Sequence, residues 1–212
     1  DWNGLNILTQ NASTVGAIDL NLFSLNKQNN FIFFDRLDNS EFKLLYLLAS
    51  DNLLIKKNNE FIIYQGSHGD KGAEIADVIL PSPAYTEENG LYSNLEGRIQ
   101  ECRKASYPTG DSKQDWKIFN LISKKINNKE LFHNHNSLRD NVIKLIPNFT
   151  SLNELPKFTK IENIKENLNP SNEKIIINKI DYYYSNAISR ASKTMAECRE
   201  ISSAKIKDGT NN

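Results

Sequence analysis

A glycine-rich stretch in the first half of the chain has residue types that could do chemistry. Its sequence, QGSHGDKG, places Gly66, Gly69 and Gly72 three residues apart and includes His68 and Asp70. Glycine loops at strand ends let the backbone approach a ligand closely, and open α/β sheets bind ligands there. The spacing matches neither the G-x-G-x-x-G motif nor the G-x-x-x-x-G-K-[ST] motif of phosphate-binding loops. A tight strand-to-helix turn that only glycine can adopt is therefore the favoured interpretation.

The remaining histidines and acidic residues give no convincing catalytic or metal-binding set. His68 has no histidine or cysteine close to it in the sequence, and metal sites need several donors. The string HNH at residues 133–135 resembles a nuclease signature, but no metal-ligand pattern surrounds it. Paired carboxylates can do acid–base work when burial separates their pKa values. Four acidic residues of the turn-rich region are expected to be solvated instead: Glu87, Glu88, Glu96 and Glu101.

The composition argues against several classes of protein. The 212 residues carry 26 basic and 26 acidic side chains, so the formal net charge is zero. Nucleic-acid binding in general needs a basic surface that displaces counterions, so no nucleic-acid partner is expected. The two cysteines, Cys102 and Cys198, are too far apart for a zinc or iron–sulfur motif. No apolar run reaches the roughly 18 residues of a membrane helix, so no direct membrane span is predicted.

Short apolar runs predict an α/β fold with a mostly parallel sheet. The runs KLLYLLAS, EFIIYQG and DVILP lack alternation, which is typical of strands that are covered on both faces. The segment LYSNLEGRIQE is predicted to be a hairpin with its bend at Glu96-Gly97. Before the strands, residues 2–20 are predicted to form a helix capped by Asp1. Residues 21–42 are interpreted as a polar connection with a short apolar turn.

The second half of the chain is predicted to be helical and then extended. One helix starts at Ser112, which is expected to cap it. Its apolar stripe consists of Trp116, Phe119, Ile122 and Ile126. A second helix starts at Asn136 and stops at Pro147. Residues from about 148 to 180 are interpreted as a charged, extended arm with a candidate strand at KIIINKI.

The chain is predicted to end in an amphipathic helix and a disordered tail. The helix spans about 186–201. One side of it should carry Ile188, Ala191, Met195 and Cys198. The tail KIKDGTNN follows it. Because the arm is low in core residues, we expect it to dock on neighbouring proteins.

Several of these segments resemble a known family. The stretches YQGSHGDKGAEIADVILP, AYTEENG and YSNLEGRIQ are similar to the largest iron–sulfur subunit of respiratory complex I, the proton-pumping NADH:ubiquinone oxidoreductase. The resemblance continues on both sides, in WNGLNILTQNASTVGAIDL, DWKIFNLIS and DYYYSNAISRASKTMAEC. It covers most of the chain and is weakest between about 128 and 180. Agreement at several ordered points makes the resemblance specific.

The resemblance implies a fold and a division of the chain. Residues 1–149 would be the C-terminal portion of a molybdopterin-oxidoreductase-like α/β domain. Residues 150–212 would be a helical and extended C-terminal arm. In molybdopterin oxidoreductases such as formate dehydrogenases, the strand-end loops face the pterin cofactor. The vestigial pterin-loop positions here would be Gly66, His68, Gly69, Asp70 and Gly72.

The resemblance also implies a function for the chain. It would be a structural segment of the complex I peripheral arm, supporting NADH-to-quinone electron transfer without a cofactor or catalytic residue of its own. The 2Fe–2S and 4Fe–4S clusters would lie in the N-terminal part of the subunit, which this chain lacks. The expected location is the matrix side of the mitochondrial inner membrane or, in bacteria, the cytoplasmic face of the inner membrane. The alternative is a fragment of an active molybdopterin enzyme such as formate dehydrogenase.

The family's large iron–sulfur protein is longer than this chain, so the chain needs the rest of it as a partner. A split gene is the favoured hypothesis, and it would supply that part as a separate polypeptide and an obligate partner. A cut or partly given chain would also explain a sequence that starts inside a domain. Other peripheral-arm subunits are the further expected partners. The exposed sheet edge and apolar helix faces of such a piece must be buried against them.

Overall fold

The computed structural model describes residues 8–9, 11–22, 27–146, 149–157 and 181–207. A parallel sheet contains β1 (Leu44–Leu48), β2 (Phe61–Gly66) and β3 (Val78–Pro81), with β2 in the centre. An antiparallel hairpin follows, formed by β4 (Gly90–Ser93) and β5 (Ile99–Cys102). The predicted α/β class, the three parallel strands and the hairpin are confirmed.

Helices precede, connect and follow these strands in the described parts of the chain. They are α1 (Thr14–Asp19), α2 (Lys27–Asp38), α3 (Lys71–Glu74), α4 (Asp115–Asn127), α5 (His135–Leu145), a 3-10 helix (Tyr182–Tyr184), α6 (Ala187–Ala191) and α7 (Lys193–Lys207). Within the described ranges, none of these helices is long and apolar enough to cross a membrane.

The core lies on one face of the parallel sheet. Leu45 and Leu47 of β1 stand opposite Ile62 and Tyr64 of β2, so their side chains point to the same face. All four are buried, and Leu37 of α2 packs against them. This face therefore holds the main apolar cluster of the described residues.

The described residues cover the other face of the sheet only in its middle. Tyr46 packs against Phe119 of α4, with ring centroids 5.5 Å apart. Leu44, Phe61 and Val78 share that face and remain exposed. The prediction of strands covered on both faces is therefore wrong for the described residues, because α4 reaches only part of the second face.

The first forty residues differ from the sequence-based prediction. Among the described residues of 2–20, the helix begins only at Thr14, because a turn closed by Thr14 N–H on the Asn11 carbonyl (3.1 Å) precedes it. The predicted cap Asp1 lies outside the described residues. The polar connection predicted for 21–42 is wrong, since α2 occupies 27–38 and buries Leu37.

The two central helices, α4 and α5, begin at different residues from those predicted. Helix α4 begins after Gln114, two residues beyond Ser112, because Lys113 N–H still bonds the Pro81 carbonyl at 3.2 Å. Ile126 of the predicted stripe is exposed. The second helix begins one residue early, at His135, because Asn134 and Ser137 form a capping box. It ends at Leu145, and Pro147 lies outside the described residues.

The single C-terminal helix of the prediction is in fact two helices. Ser192 has an extended backbone (ψ 122°), which ends α6, and its hydroxyl accepts from Met195 N–H (3.4 Å) at the start of α7. The prediction that four residues form the apolar side of one helix is therefore wrong, and Cys198 is exposed. The prediction of a disordered tail is wrong for residues 205–207, which are helical. Residues 208–212 and the candidate strand KIIINKI lie outside the described residues.

Substitution of Gly72 tests the packing between the sheet and α3. A Cβ atom there would lie 2.5 Å from the Ser50 carbonyl oxygen and 3.1 Å from the Tyr64 ring. Because the first neighbour is backbone, Gly72→Ala should lower the midpoint of thermal unfolding by about 3 °C or more. The matched control is Gly16→Ala in α1, where the nearest atom is 3.8 Å away. Circular dichroism of the purified chain measures both, and equal midpoints would contradict the packing.

Candidate functional site at the carboxyl edge of the parallel sheet

The glycine-rich loop lies where the three parallel strands end. Gly66 is the last residue of β2, and the next residues lead directly into α3. Ala49 follows β1 and Ser82 follows β3, so loops from all three strands meet at this edge. This is the edge at which open α/β sheets bind ligands.

Tyr64 is the side chain on which the loop is built. Its ring is fully buried, and its hydroxyl donates to the Asp51 carboxylate and lies 3.0 Å from the Gly69 carbonyl. Burial, followed by the hydrogen bond to Asp51, raises the pKa of Tyr64 well above its usual value of 10.0. The hydroxyl therefore stays protonated and ties β2 to the loops on both sides of it.

The glycines of the loop make room for this tyrosine. A Cβ atom at Gly66 would overlap the Tyr64 hydroxyl, and one at Gly72 would press on the Tyr64 ring. Gly69 has a φ of +77°, in the region that favours glycine. The geometry agrees with the interpretation of this loop as a strand-to-helix turn.

The two polar candidates of the loop have different surroundings. His68 is exposed, and its Nδ1 atom lies 2.9 Å from the neighbouring Ser67 hydroxyl. Asp70 is partly buried and caps α3 by accepting from Lys71 N–H at 2.9 Å. Its other oxygen forms an ion pair with Arg190 of α6, 120 positions away. Sequence reasoning did not find this pairing, since nothing local signals it.

A cleft of about 670 Å³ opens at the same edge. Its acidic lining residues are Asp51, Glu88 and Asp115. A second cavity of about 610 Å³ adjoins it. The two share the lining residues Asn11, Ala49, Asp51, Ser185, Asn186 and Ala187. The C-terminal segment therefore borders both cavities.

A buried polar chain connects the sheet to the acidic wall of the cleft. Gln65 is fully buried, accepts from the Tyr46 hydroxyl and donates from Nε2 to the Asp115 carboxylate at 2.7 Å. Burial, and secondarily the charge of Asp115, raise the pKa of Tyr46. The Asp115 carboxylate, at the start of α4, is thus held in place by the hydrogen bond that one of its oxygens accepts from Gln65.

Glu88 is the carboxyl group whose chemistry departs most from expectation. It is partly buried in the cleft wall rather than solvated as predicted. Burial, and then the charge of Asp115, raise the pKa of Glu88 from 4.5 to about 7. Tyr92 lies in the same wall, and burial likewise raises its pKa. The turn-rich sequence around Glu88 gives no sign of this burial, which depends on distant elements.

The other acidic and histidine candidates are not gathered into a site. Glu87 accepts from Ala84 N–H at 3.0 Å and so closes its own turn. Glu101 forms an ion pair with Arg139 at 3.3 Å, and Glu96 is exposed. The histidines of HNH lie at the start of α5, away from the cleft lining. The described residues contain no group of three or more potential metal ligands.

The raised pKa of Glu88 predicts a pH-dependent stability. The folded chain keeps a proton that the unfolded chain releases at lower pH, so the free energy of unfolding falls as the pH rises from about 4.5 to about 7. Glu88→Gln removes this loss and should raise the free energy of unfolding at pH 8 by about 1–3 kcal/mol. The gain should vanish at pH 4, where both states hold the proton. Denaturant unfolding at the two pH values measures it, and an equal effect at both would contradict the assignment.

Two family models match successive parts of the chain. The model for molybdopterin oxidoreductase matches residues 1–125. The model for the C-terminal region of the G subunit of NADH-ubiquinone oxidoreductase matches residues 159–198.

Curated relatives cover nearly the whole chain. The NADH-ubiquinone oxidoreductase 75 kDa subunit of Reclinomonas americana is 38% identical over 95% of this chain and 29% of its own length. The mitochondrial 78 kDa subunit of Candida albicans is 36% identical over 97% of this chain and 29% of its own length. The G subunit of NADH-quinone oxidoreductase from Rickettsia bellii is 38% identical over 99% of this chain and 30% of its own length.

These matches confirm the resemblance to the large subunit of complex I that the sequence motifs indicated. The chain spans less than a third of the length of these three relatives. The parallel sheet and the helices of this chain are consistent with the α/β class that was expected for a molybdopterin oxidoreductase domain. Because the molybdopterin oxidoreductase model matches residues 1–125, more than half of this chain, the chain belongs to the molybdopterin oxidoreductase family.

Proposed function

We propose that this chain is a structural segment of the large iron–sulfur subunit of a proton-pumping NADH:ubiquinone oxidoreductase. In that role it supports NADH-to-quinone electron transfer in the peripheral arm of complex I and binds no cluster itself. The observation that carries the proposal is the similarity to relatives with that name over almost the entire chain. The second family match, at residues 159–198, supports the same assignment.

The lining of the cleft does not fit a pterin dinucleotide, the cofactor that the family name suggests. Such a cofactor carries phosphate groups, which bind cationic side chains and free backbone N–H groups. Among the described residues, the charged side chains that line the 670 Å³ cleft are those of Asp51, Glu88 and Asp115, all carboxyl groups. Arg190, which lines the adjoining cavity, is already paired with Asp70. This mismatch supports a chain that keeps the fold without the cofactor.

The same observations disfavour the alternative, a fragment of an active molybdopterin enzyme such as formate dehydrogenase. That alternative shares the match at residues 1–125. It does not account for the match at residues 159–198 or for the acidic cleft. Gly66, Gly69 and Gly72 would then serve the packing around Tyr64, and Asp70 the contact with Arg190. His68, the remaining vestigial position, is exposed and has neither role.

The open face of the parallel sheet is the proposed contact with the rest of the subunit. Parallel sheets are normally covered on both faces. Here Leu44 is 54% exposed and Phe61 47% exposed, side by side on β1 and β2. The relatives are more than three times as long as this chain, so the remaining part of the subunit can supply the cover. It is either a separate polypeptide or a continuation of this one.

The proposed setting follows from the relatives. Some are mitochondrial and others bacterial, so the chain would lie on the matrix side of the mitochondrial inner membrane or on the cytoplasmic face of a bacterial one. Its further partners would be other subunits of the peripheral arm. The 2Fe–2S and 4Fe–4S clusters would be held by the N-terminal part of the subunit. Residues 1–149 would complete the large domain and 150–212 would form the C-terminal arm.

Isolation of the native assembly tests the proposed function. The tagged chain should be purified from its own organism, its partners identified by mass spectrometry, and its metals measured by elemental analysis. We expect the peripheral-arm polypeptides of complex I, with iron and without stoichiometric molybdenum or tungsten. One molybdenum or tungsten atom per chain would favour the active-enzyme alternative and overturn the proposal.

A charge placed on the open sheet face tests the proposed contact. Leu44→Lys would bury an unpaired ammonium in the interface, and its incorporation into the complex should fall about tenfold or more. The matched control is Leu54→Lys, since Leu54 is 76% exposed on the loop after β1. Native gels with immunodetection of the chain measure incorporation. Equal incorporation of the two variants would show that this face is not the contact.

A further inference from the structure

We infer that residues 181–191 form a strap that closes the cleft at the sheet edge and is fastened there by the Arg190–Asp70 ion pair. The strap consists of the 3-10 helix with its cap Asp181, the linking residues 185–186 and α6. The inference stands on this geometry and does not depend on the proposed function.

The strap passes between the two cavities of the edge. Ser185, Asn186 and Ala187 line both of them, and Ile188 lines the larger one. The opposite walls come from the loops that follow the strands, including Ala49 and Asp51. A ligand that spanned the whole edge would have to displace the strap.

Arg190 joins the strap to the glycine-rich loop. Its Nε atom donates to Asp70, and its Nη1 atom lies 3.3 Å from the Tyr184 carbonyl within the strap. The side chains of Arg190 and Asp70 are only 17% and 22% exposed, so water screens their attraction weakly. The guanidinium thus holds the loop and the strap at the same time.

The strap is also ordered by its own hydrogen bonds. Asn186 and Ser189 form a capping box at the start of α6, with bonds of 2.9 and 3.0 Å. Asp181 caps the 3-10 helix and pairs with Arg199 of α7 at 2.6 Å. The guanidinium of Arg199 lies 4.6 Å from the Tyr184 ring centre. These contacts predispose the strap to move as a unit when its fastening is released.

Cys102 offers a direct probe of cleft opening. It lines the larger cavity and is only partly exposed, whereas Cys198, the other cysteine, is exposed on α7. In a Cys198→Ser background, Cys102 is the one cysteine left in this chain. The chain should be labelled with a maleimide in the assembly with which it purifies, and the label on its Cys102 peptide should be quantified by mass spectrometry, so that cysteines of other polypeptides do not contribute. Native gels check that each variant is incorporated into the assembly.

Arg190→Ala is expected to raise the labelling rate of Cys102 about tenfold or more, because it removes the charge-assisted contact that fastens the strap to the glycine-rich loop. Arg190→Lys keeps the charge without the guanidinium geometry and should give an intermediate rate. The matched control is Arg36→Ala, which breaks an exposed pair with Glu41 outside the cleft lining. It should leave the rate unchanged.

Asp70→Asn tests the fastening without a loss of the α3 cap. Asparagine has nearly the same size and shape as aspartate, and its side-chain oxygen can still accept from Lys71 N–H. Its labelling rate should match that of Arg190→Ala, and the double variant should label no faster than either. Labelling of Arg190→Ala and Asp70→Asn at the parent rate would overturn the inference. Independent, multiplying effects in the double variant would also overturn it.

Discussion

The buried ring of Tyr64 is the constraint on which the rest of this structure depends. A tyrosine hydroxyl without a partner would be costly in the core, and this one bonds to Asp51 and approaches the Gly69 carbonyl. Its ring and hydroxyl also take the space that Cβ atoms would need at Gly66 and Gly72. The glycine pattern of the loop therefore follows from packing around one side chain. A bound phosphate is not required to explain it.

This packing fixes the direction of Asp70, and through it the position of the C-terminal strap. The loop turns sharply into α3, where Asp70 caps the helix with one oxygen and meets Arg190 with the other. A residue of the loop after the central strand is thus joined to a residue 120 positions further along the chain. In an open α/β sheet, a cofactor would occupy this edge. Here the edge is bordered by residues of the strap and by the acidic side chains of the cleft.

The sequence was sufficient for the local features of the fold. Short apolar runs located the three strands, and Gly97 marked the hairpin bend, where its φ is +77°. Helix α2 was missed because its first turn is polar and, among its residues whose burial is described, Leu37 alone is buried in the core. Local residue types could not reveal the extended entry that delays α4 or the backbone break at Ser192.

The candidate site depends more on contacts between distant residues, which one sequence does not display. Gln65 bonds to Asp115 across 50 positions, and Arg190 bonds to Asp70 across 120. Glu88 was expected to be solvated, but its burial beside Asp115 raises its pKa to about 7. Buried polar side chains such as Asn120, which bonds the Phe132 carbonyl at 2.6 Å, likewise fall outside any apolar stripe.

A cryo-electron-microscopy structure of the native assembly, detailed enough to show side chains, would reveal what the glycine-rich loop contacts there. We expect the loop to pack around Tyr64 and to bind the chain's own strap, with residues 181–191 in place along the edge and Arg190 in contact with Asp70. A pterin bound at this edge, with the strap displaced from it, would be the opposite result and would show that the loop serves a cofactor.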